Sequence, residues 1–239
     1  MTILRPDAKA RHVVALVDMN FFNLVSRYYR FENERSSWPN LPGVLDFARR
    51  AAAERKAISP LHVDIVSAKA YIGAAGFRVV NGSSYTVLPT RYFEAVRRSG
   101  IDIELGEYEF NREINVDQRL QYDLIQAAQN GMDVLLFAGD SDHLDAVRVA
   151  RSLGAFVTQV GWHIPGALGS VGIGCSEALR GACDLCLRME ELIGRPTPHE
   201  NPLKRELFVA TATTALVGYF TCPPNSCQPE LGGQNERGN

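Results

Sequence analysis

The run HVVALVD, residues 12 to 18, is short, rich in β-branched residues and apolar without alternation. That is the pattern of a strand buried on both faces of a parallel sheet. Directly after it, NFFNLVSRYYR sets Phe21, Leu24, Val25 and Tyr28 on one side of a helix, with Asn20 placed to cap it. The period then switches back and forth. LPGVLDFARRAAAERKA (41 to 57) predicts a helix, LHVDIVSAKAYIG (61 to 73) an alternating strand, and GAAGFRVVNGSSYTVLP a glycine- and serine-rich surface loop. RYFEAVRRSG (91 to 100) predicts a short helix closed by Gly100, followed by the extended segment IDIELGEYEF. NVDQRLQYDLIQAAQNG (115 to 131) predicts an amphipathic helix, MDVLLFAG a buried strand, and DSDHLDAVRVARSLG (140 to 154) a helix with acid in its first turn. AFVTQVG predicts a further strand, and CSEALRGACDLCLRMEELIG (175 to 194) a last helix beyond a glycine-rich loop.

Strands separated by helices of this length require right-handed crossovers. The fold class is therefore α/β, a mainly parallel central sheet flanked by helices on both faces, and residues 1–194 read as one such domain. From residue 195 the pattern changes. RPTPHENP is a linker, one apolar segment follows, and CPPNSCQPELGGQNERGN has the composition of a disordered tail. The 239 residues are 46% hydrophobic, enough to bury one core. A net charge of -2 supplies no general attraction for nucleic acid and leaves only a local basic patch to do so. No apolar stretch reaches the roughly 20 residues of a membrane span, and no export signal is visible, so no membrane partner is expected. Five cysteines, an odd number, do not read as a disulfide framework. The expectation is a reduced, cytoplasmic protein. Cys183-x-x-Cys186 and Cys222-x₄-Cys227 could offer four thiolates to zinc, but the first pair reads as buried helix and the second lies in the tail.

In an open parallel sheet, functional groups gather at the carboxyl ends of the strands. The first strand ends in Asp18, and the strand at 132 to 139 runs into Asp140 and Asp142. A helix starting at 116 puts Asp117 in its first turn and Asp123 about two turns later. Carboxylates forced together repel, and a divalent cation relieves that conflict. Hard oxygen donors suit Mg²⁺ or Mn²⁺, which polarise phosphate oxygens and lower the pKa of a bound water. Each aspartate also has an ordinary use as a helix cap or first-turn acid, so the joint arrangement carries the reading.

The segments VDMNFF, NVDQRLQYD, LLFAGDSDHLDAV and SEALRGACD, in that order from about residue 12 to residue 190, resemble the NYN domains of the LabA-like group within the PIN-like nuclease superfamily. The resemblance implies a Rossmann-like PIN fold and divalent-metal-dependent cleavage of RNA. It implies that Asp18, Asp117, Asp140 and Asp142 form a catalytic, metal-holding cluster. Asp123 matches the family's second helical aspartate and is a further ligand candidate. Asn20 matches the strand-end asparagine, and Asp184 falls near a late family aspartate, displaced by Cys183. This chain departs from the family at Arg112-Glu113-Ile114-Asn115, where a Lys-Gly-like stretch is usual, and at His143, where an aromatic residue is usual. The loop 161 to 174 is longer and richer in glycine, and could cover the site or bind a partner.

The expected function is thus a metal-dependent nuclease, most readily on RNA, with single-stranded DNA as the nearest alternative substrate. Asn20, Arg78, Arg91 and His143 are substrate-binding candidates, His143 reading as a surface helix residue within reach of a phosphate. Arg97 and Arg98 could extend an RNA path, with Tyr71, Phe77, Tyr85 and Tyr92 as stacking faces. A non-catalytic RNA-binding module is the main rival. A DNA 5′-nuclease stands next. A phosphatase of the haloacid dehalogenase type wants a second aspartate where Asn20 stands. The sequence leaves a homo-oligomer open.

Overall fold

The computed structural model describes residues 10–32, 37–73, 77–80, 83–86, 96–109, 112–167, 172–193 and 207–210. In chain order these form β1 (Arg11–Asp18), α1 (Met19–Phe31), β2 (Ser37–Pro39), α2 (Leu41–Arg55) and β3 (Val63–Gly73). A hairpin of β4 (Phe77–Val80) and β5 (Ser83–Thr86) follows, then β6 (Asp102–Glu109), β7 (Arg112–Ile114), α3 (Val116–Gln129) and β8 (Asp133–Phe137). The chain continues through α4 (Leu144–Ser152), β9 (Val157–Gly161), α5 (Glu177–Ala182), β10 (Leu185–Arg188), α6 (Met189–Ile193) and β11 (Phe208–Ala210).

The main sheet has the order β10-β9-β8-β1-β3-β6-β7. Every neighbouring pair from β10 to β6 is parallel, and only β7 runs antiparallel, against β6. Counting the parallel strands along the chain, the spatial order is 3-2-1-4-5-6, the Rossmann-like arrangement of an α/β fold. The order reverses between β1 and β8, so the chain leaves a crevice at their carboxyl ends.

Both faces of the sheet are buried, which explains the unbroken apolar run of β1. Val13, Ala15 and Val17 point into a core with Phe22 and Val25 of α1 and Val44 and Ala48 of α2. Val14 and Leu16 point the other way, against Leu120 and Leu124 of α3 and Val147 and Ala150 of α4. The period of two along the strand thus feeds two cores at once. Helix α3 buries Val116, Leu120, Leu124, Ala127 and Ala128, one stripe at helical spacing. Gly131 and Gly154, at φ +71° and +91°, turn the chain from α3 into β8 and from α4 into β9. Those left-handed positions suit glycine.

Three expectations are corrected. The segment expected as a surface loop holds the antiparallel hairpin β4–β5. The last helix, expected over 175 to 194, is two short helices separated by β10, the sixth parallel strand. Its register with β9 pairs Leu185 with Thr158 and Arg188 with Gly161. Asp184 drives that break: its Oδ2 accepts the Val157 N–H at 2.9 Å and its Oδ1 accepts from Arg151 Nε at 2.9 Å. A carboxylate tied to the head of β9 holds the following residues in register as a strand. Finally, residues 207–210, the described start of the apolar segment placed beyond the domain, pack against it. Leu207 is buried in the core, its carbonyl accepts the Asn40 N–H at 2.8 Å, and β11 pairs with β2. Of the helix expected at 91 to 100, residues 96–98 are helical and Gly100 stands at φ +79°, while residues 91–95 lie outside the described residues, as does the expected disordered tail.

Candidate functional site: an acidic cleft at the strand reversal

Asp18 is the last residue of β1 and itself caps α1. Its Oδ1 accepts the N–H of Asn20 at 2.9 Å and of Phe21 at 3.3 Å. The capping role assigned to Asn20 therefore belongs to Asp18, and Asn20 is an exposed residue of the first helical turn. Asp140 does the same work beyond β8, where Ala138 and Gly139 lead into a short 3₁₀ turn, Ser141–His143. Its Oδ1 accepts the Asp142 N–H at 3.2 Å and the Ser141 hydroxyl at 3.3 Å. Both strand-end carboxylates are thus oriented by local backbone and hydroxyl donors, a use compatible with presenting the carboxylate to a ligand.

Asp117 arrives from the first turn of α3. With Asp18 and Asp140 it lines one open cleft of about 480 Å³, together with Asn20, Phe21, Gly139, Ser141 and Ser176. The glycine-rich loop supplies the far wall through Gly174 and Ser176, and the Ser176 N–H donates to the Gly139 carbonyl at 2.8 Å. Gly139 is obligatory here: a Cβ would stand 2.4 Å from the Gly174 carbonyl oxygen and 2.7 Å from the Phe21 ring. Behind it, the fully buried Gln159 donates from Nε2 to the Ala138 carbonyl at 2.8 Å, bracing the strand end that carries Asp140.

Two predicted site residues stand elsewhere. Asp142 is exposed and is not among the residues lining the cleft, and its backbone carbonyl accepts from Gln121 Nε2 at 3.0 Å. Asp123 faces a neighbouring cleft, where its Oδ2 accepts from Lys69 Nζ at 2.8 Å and from the Tyr71 hydroxyl at 2.6 Å. Asp184 is the strand brace described above. Arg78 lies on β4 with its side chain outside the described residues, as do the rings of Phe77 and Tyr85. Arg91 and Tyr92 lie outside them altogether. Tyr71, expected as a stacking face, is buried at 1% exposure and cannot stack on a base.

His143 is the sharpest correction. Expected on the surface, it is fully buried, and neither ring nitrogen has a hydrogen-bond partner. Its Nε2 lies 4.0 Å from Asp117 Oδ1. Burial holds the imidazole below its usual pKa, against the pull of Asp117, Asp140 and Asp142, so it is neutral at pH 7. A buried polar ring with no partner costs free energy, and this one sits directly behind the carboxylates.

Among the described residues, no group of three or more His, Cys, Asp or Glu side chains is drawn together tightly enough to hold a metal ion. The donors are nevertheless all hard oxygens on an open rim. That set fits a hydrated Mg²⁺ or Mn²⁺ bound by one or two carboxylates and keeping its waters, and does not fit a closed cage. Of the four cysteines considered for zinc, burial raises the Cys183 thiol to about 12 and the Cys186 thiol as well, and Cys222 and Cys227 lie outside the described residues.

No family model and no curated protein matches the chain. A solved structure is similar: a protein of unknown function from Vibrio parahaemolyticus, 21% identical, at a TM-score of 0.49 over 79% of this chain and 98% of that one. Among the described residues no helix is long and apolar enough to cross a membrane.

Proposed function

We propose that the chain is a divalent-metal-dependent nuclease of the PIN-like, NYN type, cleaving RNA at the acidic cleft. One observation carries this. Asp18, Asp117 and Asp140, from three separate segments, line a single open cleft where the strand order reverses, the place where α/β sheets bind ligands. Bound Mg²⁺ or Mn²⁺ would neutralise charge on a phosphate and make water a better nucleophile. Asp18 and Asp140 would hold the ion through the carboxylate edges their amide partners orient. Asp117, an exposed carboxylate in the first turn of α3, would orient the attacking water. Asn20 and Ser176 offer neutral hydrogen bonds to non-bridging oxygens. His143 lies behind Asp117, its Nε2 4.0 Å from the Asp117 Oδ1.

A non-catalytic RNA-binding module is the second reading, favoured by the lack of a closed metal-ligand set among the described residues. The two separate in one assay, in which purified protein meets labelled single-stranded RNA and DNA with Mg²⁺, Mn²⁺ or EDTA. The nuclease reading expects RNA cleavage with either metal and none in EDTA. Intact RNA bound equally well with and without metal would mark a binding module, and DNA cut in preference to RNA would move the substrate.

A further inference from the structure

The opposite side of α3 opens into a second cleft, of about 650 Å³, lined by Lys69, Asn115, Gln118, Arg119, Tyr122 and Asp123 among others. We infer that this cleft is a nucleobase subsite of a single-stranded nucleic acid, with Tyr122 as its stacking face. The inference rests on the nuclease reading of the adjoining acidic cleft and names how that site would hold its substrate.

Tyr122 is 63% exposed on a helix whose other large apolar residues are buried, as Val116, Leu120 and Leu124 are, or partly buried, as Ile125 is. Its ring does not serve the core. The charges lining the cleft sum to zero, Lys69 and Arg119 against Glu104 and Asp123, and Lys69 is bonded to Asp123 at 2.8 Å and stands 3.9 Å from Glu104. A site built for phosphate would carry surplus positive charge. A balanced site with one exposed ring and several amides suits a base, which offers a π-face and a hydrogen-bonding edge.

Two further features build the site. Asn115 occupies the N-cap position of α3 but adopts the left-handed conformation, φ +67°, and its side chain makes no capping bond. The amide borders the cleft instead. Arg119, which also lines the cleft, is held by a 2.8 Å bond from its Nη1 to the Leu105 carbonyl. Tyr71 and Lys69, both bonded to Asp123, form a rigid floor.

Tyr122 follows Asp117 by five residues, about 7.5 Å along the helix axis and about 140° around it, so a strand that engages both clefts passes across α3.

The test is fluorescence polarisation of the full chain in EDTA with labelled oligo(A), oligo(U) and an abasic oligomer of equal length. The proteins are wild type, Tyr122→Ala and Tyr122→Trp. Expected is a roughly tenfold weakening of oligo(A) binding in Tyr122→Ala, recovery in Tyr122→Trp, and no effect of either variant on the abasic oligomer. Equal affinity of wild type and Tyr122→Ala for oligo(A) overturns the inference, as does an equal loss on the abasic oligomer or the absence of binding by wild type. RNA cleavage by wild type that Tyr122→Ala matches in rate and length preference sinks the subsite and leaves the nuclease. Base-dependent binding through Tyr122 without any cleavage sinks the nuclease and leaves the subsite.

Discussion

Asp123 shows how one side chain can be read in the right place and assigned the wrong neighbours. It lies six residues beyond Asp117, and at 100° per residue that is about 240° around the helix. The two carboxylates therefore cannot face one cleft, a fact the spacing already contained. Asp123 instead receives Lys69 and Tyr71. Burial, and then the bond to Asp123, raises the Tyr71 phenol well above its usual pKa. Burial pulls the Lys69 ammonium down, but Asp123, with Glu104 and Asp102, outweighs it and raises that group too. The sign follows from proton linkage. Both groups keep their protons in the fold where the unfolded chain has lost them, so their stabilisation is intact below pH 10 and fades as pH rises above it. Thermal stability should fall as pH rises above about 10, and the fall should be smaller in Tyr71→Phe. An equal fall in both proteins would show that Tyr71 does not keep its proton in the fold.

His143 is a second lesson at the same scale. It shares the spacing of Ala146, Val147 and Ala150, the buried face of α4, so its position one turn ahead of them placed it inward. Reading it as a surface residue followed residue type, which ranks histidine as intermediate, instead of helix phase.

At the scale of elements, the strands and helices that position the cleft were legible because their periods are unambiguous. β1 and β8 hold unbroken apolar runs, residues 13–17 and 134–137, α3 carries one stripe, and Asp18 and Asp140 mark strand ends. What the pattern hid was β10. Its four residues lie between EALRGA and MEELI, two runs of good helix formers, and local propensity alone joins them. The strand exists because Asp184 anchors it beside β9, a contact across 27 residues that no local window contains. The Gly139 turn is the other element-level feature. It allows the Gly174 carbonyl and the Phe21 ring to close on the strand end. Gly139→Ala should force that wall apart and destabilise the protein by about 1–3 kcal/mol, the cost of overpacking, with a lower midpoint in urea as the readout. An unchanged midpoint would mean the loop yields freely and does not define the cleft.

For the whole molecule, the 3-2-1-4-5-6 order explains why distant residues meet. The chain winds outward from β1 in one direction, returns, and winds outward from β8 in the other, leaving Asp18 and Asp140 side by side at the reversal. The first strand and the strongest strand could be recognised in the sequence; that they are sheet neighbours could not, since adjacency depends on the path of every crossover between them. The same topology places α3 between two clefts, so a strand of nucleic acid crossing that helix would engage both.

The most direct measurement of the central claim is the rate of RNA cleavage with Mn²⁺ by wild type and by Asp140→Asn, with thermal midpoints recorded for both. Asparagine keeps an oxygen to cap the 3₁₀ turn and loses the charge a cation needs. The acidic cleft as active site predicts a fall of about a hundredfold or more at a nearly unchanged midpoint. A variant that cuts RNA at the wild-type rate would contradict it, because the cleft would then be a set of helix caps and the cleavage would belong elsewhere.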